Sequence, residues 1–548
     1  MDIGQLPVDL LHWLVALIPI VVLLVLLVGL HWKGIEAGPL GMLAAGLVAL
    51  LVFRTPLQTL VVAAGKGLWD AVFIQYVVWA ALLLYLVTVR AGAFDALRRG
   101  FLSFSENELF LVLAIGWVFA SFFQGIAGFG APVAVTAPLL IGIGVRPVYA
   151  VIIPLIAHAW AKQFGTLGVG WLAMLNVANV QDVTRTAVEN AILLWLVNLL
   201  GGLVVAWFYG KMAGVRHGLP MILIISAIHG GVQLGVMYID PILSTFIAGT
   251  VALLALYPLS RWKRYSEPVR GITDRPAMVE QKDRKKAGAE TSDTENGSKG
   301  KNMGLGLALF PYAFLTVATL LGLVVPPVND FLSQLRIGLP FPAVETGYGV
   351  VREAAAPYSS FAPFTHPGTF VLLAALVSLF LYRSKGYMKS NPDQDSLWHN
   401  LVKDSVPSSI AISSFLVMSK LMDHSGQTTV LAQGLAAVAT TPIFAFASNW
   451  IGILGAFMTS SSTSSNILFS PLQSQAAEAL EGLNQSTVLA AQGAGGATGN
   501  VIAPANIVLG TSTAGIAGQE GEILRKVLPW TVATGVLTGI ATILLNLF

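Results

Sequence analysis

Apolar, nearly uncharged runs, most of them about twenty residues long, recur along almost the whole chain. Such runs fit helices that cross a bilayer, whose hydrocarbon core is about 30 Å thick. They include Leu11–Leu30, Ala71–Val89, Ala187–Tyr209, Met221–Ile239, Pro241–Leu259, Leu305–Val325, Thr369–Leu381 and Val527–Leu547. The 548 residues are 55% hydrophobic and 11% charged, with a mean hydropathy of +0.74, where a soluble domain carries about a quarter charged residues. The expected fold class is therefore an all-α polytopic membrane protein of about 12–14 transmembrane helices. The alternating polarity of a transmembrane barrel is absent. Without cysteine there are no disulfides or thiolate metal sites, and no HExxH or paired His/Glu spacing appears, so no metal and no cofactor is expected. The first run has no Lys or Arg before it and no small-residue cleavage site after it, which predicts a retained span rather than a signal peptide.

Positive charge is concentrated. Eleven of the 31 Lys and Arg residues lie between Arg261 and Lys301 in a polar Ser/Thr/Gly/Glu tract. Positive loops stay inside, so residues 261–303 are expected to form a cytoplasmic, disordered linker. Residues 1–10 and 327–366 are almost free of positive charge, and both termini come out extracytoplasmic in an inner (plasma) membrane. The basic tract reads as a topogenic loop, with no nucleic-acid partner implied. It also separates two expected transmembrane repeats, 1–260 and 304–548, each with leading spans, a broken polar stretch and closing spans. That correspondence predicts inverted repeats with broken or re-entrant helices.

The broken stretches carry the chemistry. In Ser121–Pro132, the glycines Gly125, Gly128 and Gly130 are followed by Pro132 and preceded by Gln124. Breakers in an apolar helix free backbone N–H groups and a helix N-terminus to face an anion; small residues also allow close helix packing. In the second half Thr459, Ser460, Ser461, Ser462, Thr463, Ser464, Ser465 and Asn466 put seven hydroxyls and an amide between apolar flanks. Hydroxyls and amides can donate to a carboxylate and accept from a hydroxyl. A third stretch, Gln492–Pro504, again combines glycine breakers with Gln492, Thr498 and Asn500. The Gly125–Pro132 and Thr459–Asn466 segments are expected to be non-helical and to meet near mid-membrane.

GIAGFGAPVAV, TSSSTSSNILFSPLQ and AAQGAGGATGNVIAP, in that order, resemble the bacterial L-lactate permease family, and the similarity runs over essentially the whole chain. The resemblance implies a secondary transporter that takes up lactate, glycolate or a similar 2-hydroxymonocarboxylate by proton symport, sodium being the other coupling ion to consider. A membrane enzyme is a further option, against which no nucleophile–base pair or metal constellation appears in the polar motifs, so no enzymatic activity is expected, and a homodimer stays open. The chain departs from that family where charge matters. Gln124 stands where an acidic residue is typical, and Ser462 where the family has aspartate. Lys162 and Lys420 are added in apolar surroundings, with His158 four residues before Lys162 on the same helical face. Ionisable groups inside a membrane segment are costly and functional by default, although Lys162 and Lys420 could instead snorkel to an interface. Two added cations and two lost anions favour a more acidic anion, such as a dicarboxylate or sulfonate, over plain lactate. His158 becomes the leading proton carrier. A passive anion channel lined by the same elements is the other reading. Glu353, beside Arg352, reads as an ion-pair partner or a vestibule element, and Trp160 and Trp171 as interface anchors or packing.

Overall fold

The computed structural model describes residues 6–128, 130–269, 271–279, 303–388 and 396–547. Among them, eleven helices are long and apolar enough to cross a membrane. The first is α1 (Leu10–Gly29), capped by Asp9, which accepts from the backbone of His12. Then come α2 (Gly34–Leu51), α3 (Leu57–Arg90) and α4 (Glu108–Ile126). Three shorter apolar helices follow: α5 (Ala131–Gly142), α6 (Pro147–Ala157) and α7 (Gly165–Val177). Next are α8 (Val183–Met237), α9 (Pro241–Arg261), α10 (Leu305–Val324), α11 (Pro367–Ser384) and α12 (Leu397–Ser425). The chain ends with α13 (Gln427–Val438), α14 (Thr441–Thr459), α15 (Ser462–Ala479), α16 (Gln485–Gly499), α17 (Pro504–Thr513) and α18 (Glu520–Leu545). α8 leaves helical geometry at Gly210 and Lys211 (φ −154° and 52°). It is two spans in one run, in keeping with the two apolar stretches read there.

The order of contacts shows how the broken segments run. α4 and α5 form one antiparallel hairpin, in which a side chain at Gly116 would meet Leu140 of α5 as well as Ile153 of α6. α14 and α15 form a second, held by Ser465 Oγ donating to the Gly452 carbonyl (2.9 Å) and Gln473 Nε2 donating to that of Ser448 (3.1 Å). Two further elements are interrupted spans, α6 leading into α7 and α16 leading into α17. α17 packs on α5, since a side chain at Gly130 or Gly510 would strike Leu509 or Val151 and Val133. α7 packs on α15 through Asn466 Nδ2, which donates to the Gly170 carbonyl (2.9 Å). One hairpin thus enters from the end that holds α5, α6 and α17, and the other from the end that holds α7, α15 and α16.

The regions before and after the basic tract interleave. A side chain at Gly67 of α3 would lie 2.7 Å from the Val417 Cα of α12, and one at Gly38 of α2 would lie 3.1 Å from Ser414 Cβ. Glycine here lets backbones approach in the way apolar bundles require.

One sequence expectation changes, and one structured segment was not foreseen. Part of the tract expected to be disordered is ordered: Lys263–Ser266 is a helical turn and Val145 bridges to Met278. Arg264 donates to the carbonyls of Arg216 and His217 (3.0 Å each), and Arg275 pairs with Glu108. Pro220 inside α8 has no N–H for the Arg216 carbonyl, which is left free to accept from Arg264; residues 280–302 lie outside the described ones. The low-charge segment 327–366 also folds into two antiparallel strand pairs that no hydropathy run announces. β1 (Ile337–Phe341) pairs with β4 (Ala355–Phe361), and β2 (Val344–Glu345) with β3 (Val351–Arg352). They sit on α3 through Thr59 Oγ1, which donates to the Glu345 carbonyl (2.7 Å), and Trp69 Nε1, which donates to that of Ser359 (3.2 Å).

Candidate functional site

Four chain breaks meet at one cavity. They are at Ala127, Gly128 and Gly130 between α4 and α5, His158–Phe164 between α6 and α7, Ser460–Ser461 between α14 and α15, and Asn500–Ala503 between α16 and α17. Local sequence explains each break. Gly130 takes a left-handed backbone (φ 85°) and Pro132 opens the next helix, since glycine alone enters that region without strain and proline is pre-set for a helix start. Ser461 caps α15 by accepting from the Ser464 N–H (3.1 Å). Pro504 starts α17. The α7 break continues into a left-handed turn at Thr166, Leu167 and Gly168 (φ 50°, 49° and 74°). Left-handed backbone at two residues other than glycine costs energy and marks a segment held by its surroundings.

The cavity is lined by Gln124, Gly128, Gly130, Lys162, Gly165, Thr166, Val169, Gly170, Ser460–Thr463, Asn500 and Asn506. It encloses about 60 Å³, room for about four or five waters or for an anion of a few heavy atoms. Lys162 is the one charged group among these residues. Its ammonium donates to Asn500 Oδ1, which also accepts from Asn506 Nδ2 (2.6 Å); Asn500 Nδ2 donates to the Ser460 carbonyl (3.2 Å). The cation is therefore held by neutral groups. The lining positions come mostly from helix starts, where the first backbone N–H groups lack intrahelical partners and the dipole is positive. An ammonium, hydroxyls and helix starts around a small space can receive an anionic group.

The structure brings Gln124, Gly128, Gly130, Lys162, Ser461, Ser462, Thr463 and Asn500 to the cavity wall. It places the other sequence-predicted residues elsewhere. Gly125 faces the Phe246 backbone, 2.9 Å from where its side chain would begin, so it is a packing position. His158 is buried with Nδ1 on the Pro154 carbonyl. Ser464 lies in the first turn of α15, and Ser465 ties α15 to α14. Asn466 Nδ2 donates to Gln163 Oε1 (2.8 Å) and to the Gly170 carbonyl, while its Oδ1 accepts from Gln492 Nε2 (3.3 Å). Gln492 Oε1 accepts from Gln473 (2.5 Å), so both amides belong to a buried network behind the cavity. Thr498 borders a separate apolar crevice with Trp530. Lys420 lies 3.2 Å from Asp70 and away from the cavity. Glu353 is exposed, and Arg352 pairs with Asp423 instead.

The expectation that all of Gly125–Pro132 and Thr459–Asn466 would be non-helical is corrected. Gly125, Ala131 and Pro132 are helical, as are Thr459 and Ser462–Asn466; among the described residues only Ala127, Gly128, Gly130, Ser460 and Ser461 fall between helices. A serine run tolerates a helix once its first hydroxyl caps it. Gly493, Gly495 and Gly496 are also helical and serve close packing. Sequence reasoning missed Gly165, Thr166, Val169 and Gly170 as wall positions. The spacing Gly165-x-x-Gly168-x-Gly170 repeats the G-x-x-G-x-G of Gly125–Gly130 and was the available signal.

Asn466→Ala would leave the Gln163 oxygen, the Gly170 carbonyl and the Gln492 amide short of a partner. Each such loss costs about 1–3 kcal/mol. The variant is expected to lose thermal stability in detergent as well as uptake, and an unshifted melting curve would remove Asn466 from the supporting network.

The L-lactate permease family model matches residues 12–548. The chain is 30% identical to an L-lactate permease of Escherichia coli, over 97% of this chain and 95% of that protein. It is equally similar to the glycolate permease GlcA of the same organism, with the same coverage. An L-lactate permease of Halalkalibacterium halodurans is 28% identical over 97% of this chain and 96% of its own length. Among solved structures, the YdaH transporter of Alcanivorax borkumensis aligns over 85% of this chain and 84% of its own at 13% identity, with a TM-score of 0.41.

Proposed function

The chain belongs to the L-lactate permease family, and we propose that it carries lactate, glycolate or a related 2-hydroxymonocarboxylate across the cell membrane by alternating access, together with a proton. The observation that carries this reading is the single ammonium, Lys162, in a cavity where four helix breaks converge. One fixed positive charge balances one carboxylate, and the hydroxyls of Ser461, Ser462 and Thr463 suit a hydroxyl group beside it. The case for a doubly charged substrate rested on two added cations and two lost anions, and of the two cations only Lys162 lines the cavity, Lys420 lying against Asp70 outside it. Hairpins that enter from opposite ends give each end a gate over a fixed site, which is the geometry of inverted-repeat transporters. On this reading 1–260 and 304–548 are the two repeats, the basic tract is cytoplasmic and the strand pairs face outward.

The test is uptake by proteoliposomes containing the full chain. Lactate uptake should saturate, show counterflow, and be inhibited by glycolate much more than by succinate. A non-saturating conductance would make the protein a channel, and a preference for succinate would overturn the monocarboxylate assignment.

A further inference from the structure

A second group of ionisable side chains is buried between the cavity and the strand pairs. Lys66 and Asp70 come from α3, Lys420, Asp423 and His424 from α12, Arg352 from β3 and Tyr358 from β4. Lys66, Asp70, Lys420 and His424 are 5%, 0%, 8% and 6% exposed, so their charges must be answered by one another. Both carboxylates are claimed. Asp70 Oδ2 lies 3.2 Å from Lys420 Nζ and accepts from the Tyr358 hydroxyl (2.9 Å). Burial pushes the Tyr358 phenol up, with Lys420 opposing, which leaves it a hydroxyl donor. Asp423 Oδ1 accepts from Arg352 Nη2 (3.4 Å) and Gln475 Nε2 (3.0 Å).

Three basic side chains against two acidic ones leave a surplus cation, and it lies at Lys66. Its Nζ is 3.3 Å from His424 Nε2 and 5.3 Å from the centre of the Tyr358 ring. A nitrogen-to-nitrogen contact of that length accommodates one shared proton, carried by the ammonium or by the imidazole. A further proton sets two cations against each other where little water screens them.

We propose that the Lys66–His424 pair is the proton-binding site that couples proton movement to anion transport. This rests on the proton-coupled reading above. Among the described residues the cavity wall carries no carboxylate and no histidine, and its one titratable side chain, Lys162, is kept charged in this reading to meet the anion, so the coupling proton falls to a group outside it. The pair is wired to the helices that form the cavity. His424 Nδ1 is 3.4 Å from Asp423 Oδ2; a protonated imidazole draws Asp423 toward itself and away from Arg352 and Gln475. Gln475 belongs to α15, whose first turn lines the cavity. Lys420 donates to the Asn176 carbonyl (2.7 Å) at the far end of α7, whose first turns also line it. A proton on this pair therefore shifts the tie of Asp423 to Gln475 on α15, a helix that lines the cavity, while Lys420 anchors α7 beside it.

The experiment measures, in proteoliposomes, the lactate accumulation driven by an inward gradient of one pH unit, divided by the lactate counterflow at equal pH. One coupled proton supports about tenfold accumulation under that gradient. The wild type should approach this value, while His424→Gln and Lys66→Met should fall to no net accumulation relative to their own counterflow. Lys66→Arg separates the proton site from a structural cation, because guanidinium keeps its charge and cannot release a proton; it should also lose coupling. A wild type that moves no proton with lactate would overturn proton coupling altogether, and this site with it. A coupled wild type with a coupled Lys66→Arg or His424→Gln would overturn the site alone.

Discussion

Lys162→Met is expected to raise the lactate concentration for half-maximal uptake about 10- to 100-fold, since a hydrogen bond to a charged partner contributes about 1.5–3 kcal/mol and each 1.4 kcal/mol is about tenfold. The protein should nevertheless reach the membrane. Lys162 donates to Asn500 Oδ1, an acceptor that Asn506 also serves, so removing the ammonium strands no buried carboxylate. Lys162→Arg should restore little, because a planar fork does not fit a space shaped around a compact point charge. Kinetics of reconstituted variants check this. A half-saturation concentration within about twofold of the wild type, below 0.5 kcal/mol by the same scale, would show that the cation has no part in binding.

A large loss of stability is also expected from a single methyl group, at Gly495→Ala. A side chain there would drive into the Asn449 carbonyl oxygen of α14, with the Asn449 Cα 3.1 Å away. A helix backbone cannot rotate out of the way as a side chain can. Overpacking of this kind costs about 1–3 kcal/mol and sometimes more, against a gain of about 1 kcal/mol in helix propensity for alanine over glycine, so the clash decides the sign. Gly521→Ala is the control. It meets nothing within 4 Å and should be neutral or slightly stabilising. The fraction of monodisperse protein after heating in detergent distinguishes the two, and equal curves would refute the packing role of Gly495.

Gly495 and a second glycine, Gly128, show what could and could not be read from residues in order. Gly128 and Gly495 look alike as breakers in apolar sequence, yet one ends a helix and the other lets two helices touch. What differs is the neighbour: a side chain at Gly128 would strike Thr166 Oγ1 across the cavity wall, and one at Gly495 the backbone of α14. Likewise the hydroxyl run at Thr459–Asn466 reaches the cavity wall only at Ser460–Thr463, and a cap by Ser461 turned most of the run into the first turns of a helix.

Helical class, the sites of the main breaks and the clustering of positive charge were determined by the sequence itself. Hydropathy, helix breaking and charge are properties of a residue and its immediate neighbours. The partners were decided only by the tertiary structure. Lys162 and Lys420 were indistinguishable as lone lysines in apolar stretches. Folding sets Lys162 on Asn500 in a cavity without a carboxylate and Lys420 on Asp70 of a distant helix. A buried charge takes its role from whatever answers it within a few ångströms. That neighbour comes from another part of the chain, so no local pattern could name it.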